Sequence, residues 1–128
     1  METSCGVVLV NYGTVLLLQY PPGTPSPTPI IMNLRVKKVL VLAPHTDDGE
    51  FGCGATISKL IDNGCEVIYV AFSSCEESVR EDLPKNILKK EVKEATKFLG
   101  IKSENCIVLD FKVRKFPEKR QEILEEMI

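Results

Sequence analysis

Three short apolar runs, each followed by a helical pattern, predict an α/β fold from residue 32 onward. The architecture expected is a Rossmann-like parallel sheet with flanking helices, truncated at the C-terminus. Two further observations support it. The runs are predominantly apolar, as suits strands buried on both faces, and Gly64 and Gly100 stand where the first two helices should close.

The elements follow in chain order. Cys5–Val10 and Thr14–Tyr20 are strand-like runs around Asn11-Tyr12-Gly13, so residues 1–20 read as a hairpin. Five prolines fall within residues 21–29, a run that can hold neither a helix nor an inner strand. Residues 21–31 are therefore expected to be an extended linker. Val36–Ala43 is the first buried strand, and Gly52–Asn63 a helix with apolar residues at 57, 60 and 61. Glu66–Phe72 is a second strand. Asn86–Leu99 is an amphipathic helix with apolar residues at 87, 88, 92, 95, 98 and 99. Asn105–Phe111 is a third strand, and Pro117–Ile128 begins another helix.

Composition narrows the function classes. A net charge of −2 with Lys and Glu interspersed gives no general attraction to nucleic acid. No apolar run approaches the ~20 residues of a membrane span, and the first residues lack the basic start of a signal peptide. The expected location is the cytoplasm. Cys5, Cys53, Cys65, Cys75 and Cys106 are odd in number and form no C-x-x-C pair, so reduced thiols are expected rather than disulfides or a cysteine-rich zinc site. Oligomeric state is not legible in the sequence.

In sheets of this kind a ligand sits beyond the carboxyl ends of the strands, which gathers the loops at 44–52, 73–85 and 112–116. The first reads Pro44-His-Thr-Asp-Asp-Gly-Glu-Phe-Gly52 and holds His45, the one histidine of the chain, with Asp47, Asp48 and Glu50. An imidazole and a carboxylate three residues apart can reach one cation, and mixed N and O donors suit Zn²⁺. The neighbouring carboxylate could then accept a proton from water. The plain alternative is a helix cap made by one aspartate. Capping needs only one side chain, and two adjacent aspartates stand here beside the histidine. Gly52-Cys-Gly54 could instead open the helix as an anion site, but Ile57 stands where a dinucleotide fingerprint needs glycine, so nucleotide binding is the second reading. Cys53 is expected to be a packed thiol.

Pro44-His-Thr-Asp-Asp-Gly-Glu-Phe-Gly-Cys-Gly-Ala55 resembles the [A/P]-H-P-D-D-E-x-x-G-C-G-G signature of LmbE/PIG-L deacetylases. These are Rossmann-like zinc enzymes that hydrolyse N-acetyl groups on glucosamine-type sugars and sugar conjugates. The resemblance continues through Ser73–Ser78 and the helix ending Leu99-Gly100, and spans residues 36 to about 111. It implies that His45 and Asp48 are ligands to zinc or another divalent metal, with Asp47 as general base and an N-acetylated sugar as substrate. Arg80, Lys89 and Arg114 are candidate substrate contacts.

Two positions depart from the family pattern. Thr46 replaces its proline, and Gly49 stands where it commonly has Glu, with Glu50 one place later. The family also completes its zinc site with a downstream histidine, and none follows His45. Residues 32–128 are thus expected to be the N-terminal part of such a domain, an incomplete and inactive piece. Residues 1–24 resemble the opening hairpin of a Nudix hydrolase without its glutamate-rich metal box, so residues 1–20 are expected to be a remnant of another gene.

Overall fold

The computed structural model describes residues 7–11, 14–18 and 37–128. Five strands form one sheet in the order β2-β1-β3-β4-β5: β1 Val7–Asn11, β2 Thr14–Leu18, β3 Lys38–Ala43, β4 Glu66–Ala71 and β5 Cys106–Val108. The helices are α1 Asp48–Asp62, α2 Ile87–Phe98 and α3 Arg120–Glu125. The α/β expectation holds: β3, β4 and β5 are parallel, with residues 38–43 of β3 paired in step to residues 66–71 of β4. The expected hairpin is present, and β1 runs antiparallel against β3, pairing Val8 with Leu42 and Val10 with Leu40. The sheet is therefore mixed. The proline-rich stretch assigned as a linker lies outside the described residues.

The strands are not buried equally on both faces. Val39, Val41 and Ala43 alternate with half-buried Leu40 and Leu42, while Val67, Tyr69 and Ala71 do the same in β4. Strand order accounts for this. The chain steps from β3 to β4 to β5 in one direction, so two right-handed crossovers place α1 and α2 on the same face. Ile57 of α1 and Val92 of α2 meet the buried side chains of β3 and β4 there, in one core with Cys53, Ile101 and Cys106.

Helix ends follow the glycines. Gly64 and Gly100 both have positive φ, at 80° and 94°, conformations that glycine adopts without steric cost. The start of α1 differs from expectation. A short helical segment begins at Asp48, ahead of Gly52, and it is separated from the expected helix by a kink at Cys53, which leaves helical φ/ψ. Two other elements are shorter than expected, β5 at three residues and α3 at six.

Candidate metal centre and cleft

β3 ends at Ala43, and the chain turns through Pro44–Asp47 into α1 at the carboxyl edge of the sheet. The turn is drawn tight by Asp48, whose Oδ2 accepts the backbone N–H of His45 at 3.0 Å. The same oxygen lies 2.9 Å from His45 Nδ1, a hydrogen bond in the tautomer protonated there. Phe116 stacks on the imidazole, with ring centroids 5.8 Å apart and planes inclined by 17°. The first and third carboxyl-end loops thus meet at His45.

Asp47 occupies the N-cap of α1, yet its side chain makes no capping hydrogen bond and is exposed. The capping explanation for Asp47 therefore fails in this geometry. The anion-site reading of Gly52–Gly54 is opposed by charge. Those glycines flank the kink at Cys53, where the second helical segment begins, but the turn ahead of them carries Asp48 and Glu50, which would repel an anion.

Beneath the loop, Tyr69 of β4 is fully buried. Its hydroxyl donates to Glu50 Oε2 at 2.7 Å and accepts the backbone N–H of Gly49 at 3.2 Å, with the Thr46 carbonyl 3.4 Å away. Burial raises the Glu50 carboxyl pKa above its ordinary value; the Tyr69 bond opposes this, and the charges of Asp47 and Asp48 add to it. Burial, followed by the Glu50 carboxylate, raises the Tyr69 phenol well above its usual range. Cys53 is buried, donates its thiol to the Gly49 carbonyl at 3.2 Å, and is pushed up to about 11 by burial and then by Glu50. That is the environment of a packed thiol, not a reactive one.

His45, Asp47, Glu50 and Phe51 open on a cleft of about 610 Å³. Its other walls are Cys75 and Ser78 from the second loop, Val113 from the third, and Leu88, Glu91, Val92 and Ala95 of α2. The three loops gather as the strand pattern implies. Arg80, Lys89 and Arg114 do not line the cleft: Arg80 forms a two-pronged pair with exposed Asp82, Lys89 pairs with Asp110 at 3.3 Å, and Arg114 is exposed.

Sequence reasoning did not find Tyr69, Phe116 or the α2 wall. Tyr69 carried a signal, since a phenol in an otherwise aliphatic strand needs a buried partner for its hydroxyl. Phe116 carried none.

A cation can be tested against the donors present. Among the described residues, no three His, Cys, Asp or Glu side chains converge as a metal cluster. His45 Nδ1 and Asp48 Oδ2 face each other at 2.9 Å, and a cation held at about 2.0–2.2 Å from each would need only a slight opening of that pair. They fit as two members of a three-ligand set.

Two relatives share this stretch of chain. A diacetylchitobiose deacetylase of Thermococcus kodakarensis is 33% identical over 99 residues, covering 73% of this chain and 36% of the relative. A probable N-acetyl-α-D-glucosaminyl L-malate deacetylase 2 of Bacillus cereus is 33% identical over 91 residues, covering 64% and 41% respectively. The chain spans less than half the length of either. The family pattern described as PIG-L, GlcNAc-PI de-N-acetylase, matches residues 40–128, from within β3 to the last residue. The chain belongs to the PIG-L family.

Proposed function

We propose that this chain carries one side of the active centre of a zinc-dependent hydrolase that removes the N-acetyl group from a glucosamine-type sugar or sugar conjugate. The supporting observation is the His45–Asp48 pair at 2.9 Å, beside an Asp47 carboxylate left uncommitted at the mouth of the cleft. The two relatives are named for different substrates, diacetylchitobiose and a glucosaminyl malate, and both names describe deacetylation of an amino sugar. We place the protein in the cytoplasm, where the free thiols Cys53, Cys75 and Cys106 suit a reducing compartment.

His45 Nδ1 and Asp48 Oδ2 would hold the zinc, or another divalent metal in its place. When bound, the cation supplies Lewis acidity that polarises the acetyl carbonyl and acidifies water. Asp47 accepts the proton of the attacking water as its oxygen bonds to the carbonyl carbon. The C–N bond then breaks, the nitrogen leaves with that proton, and the products are acetate and a free amine. Phe116 limits the tilt of the His45 ring, and Asp48 ties the ring to the backbone of its own turn.

The test is Zn²⁺ titration of the chain beside His45→Ala, Asp48→Ala and Asp47→Asn. The first two variants should weaken zinc binding at least about tenfold, whereas Asp47→Asn should retain it. Identical zinc uptake by the chain and its His45 and Asp48 variants would defeat the proposal.

A further inference from the structure

Asp47 is a good capping residue that does not cap. An aspartate at an N-cap ordinarily accepts the N–H of the second or third helical residue, here Gly49 or Glu50. The Gly49 N–H is instead taken by the Tyr69 hydroxyl, which reaches up from the middle of β4. The phenol has nowhere else to turn, since its ring is fully buried and its proton is donated to Glu50 Oε2 at 2.7 Å. The arrangement also requires a glycine at 49. A Cβ there would lie 2.6 Å from Tyr69 Cζ and closer still to Cε2. Tyr69 thus occupies the space of the missing side chain and satisfies the donor that Asp47 would otherwise satisfy.

We propose that Tyr69 is a positioning residue that caps α1 from the sheet and so releases the Asp47 carboxylate into the cleft. This rests on the reading of Asp47 as general base, but the capping itself does not depend on metal or substrate. It also accounts for the early start of α1, because the first turn is held from below as far back as Thr46, whose carbonyl lies 3.4 Å from the same hydroxyl. Without the hydroxyl, the Gly49 N–H falls to the residue at the N-cap position, and the Asp47 carboxylate swings from the cleft onto the helix end.

The experiment is hydrogen exchange of the Gly49 amide by NMR in the intact chain and in Asp47→Ala, Tyr69→Phe and the double variant. Asp47→Ala should leave Gly49 protection unchanged, because Asp47 does not cap in the native chain. Tyr69→Phe should retain part of the protection through the displaced Asp47, and the double variant should lose at least a further tenfold. A tyrosine that merely fills the core gives equal Gly49 exchange in Tyr69→Phe and the double variant, and that result overturns the proposal. Loss of protection in Asp47→Ala alone overturns it too, an outcome that this exposed-site variant can give even if Tyr69→Phe does not fold. Failure of zinc binding in the earlier titration would remove the metal reading while leaving this exchange pattern intact.

Discussion

Individual residues explain why the loop after β3 has its shape. Gly49 is the clearest case, being the position where this chain departs from the Asp-Asp-Glu pattern of its family. An alanine there must push aside the ring of Tyr69, which is sealed in the core. Overpacking of this kind costs about 1–3 kcal/mol, so Gly49→Ala should lower the free energy of unfolding by that amount in a denaturant titration. Unchanged stability would mean the ring has room that the packing does not show. The His45–Asp48 pair was legible because its contact is local, between residues three apart in the chain. Tyr69 was not, because its partners lie 19 to 23 residues earlier and only the closed sheet brings them beneath it.

Among the elements, the parallel strands are tied where β3 and β4 begin as well as at the site. Lys38 at the start of β3 pairs with Glu66 at the start of β4 at 3.0 Å, and the Asn105 amide just before β5 donates to the same carboxylate at 3.3 Å. The bond from Lys38, then that from Asn105, holds the Glu66 carboxyl below its ordinary value of 4.5. Its pKa is thus lower folded than unfolded. The stability it contributes is present above about pH 4.5 and is lost as the pH falls through the folded-state value. Glu66→Gln should accordingly lower the unfolding midpoint modestly at neutral pH and flatten its acid limb, so that the two proteins converge at low pH. An acid limb of the same steepness in the variant would show that the tie contributes nothing. Helices and parallel strands were legible from periodicity and from Gly64 and Gly100. The kink at Cys53 and the true start of α1 were not, since both depend on what lies under the first turn.

The molecule as a whole presents a cleft whose charge is of one sign. Asp47, Glu50 and Glu91 line it, and no lysine or arginine does so among the described residues. A carboxylate about 8 Å from a ligand anion opposes it by roughly 0.5 kcal/mol in water, so these groups together disfavour an anion on the order of tenfold. In the metal-free chain, neutral N,N′-diacetylchitobiose should therefore perturb the His45 resonances at lower concentration than N-acetylglucosamine 1-phosphate does. Equal or tighter binding of the phosphate would show that positive charge reaches the cleft from elsewhere. The sheet topology was only partly legible. The aliphatic runs announce the parallel strands, but the pairing of β1 with β3 joins segments about 30 residues apart, and no local pattern encodes it.

The stacking of Phe116 on His45 has a spectroscopic consequence. A benzene ring lying nearly parallel to the imidazole shifts its carbon-bound protons by ring current, and the chain has only one histidine to be shifted. Two well-resolved proton lines therefore report continuously on how the loop after β5 sits over the loop after β3. Any ligand that parts the two loops announces itself there, whether or not it touches the histidine.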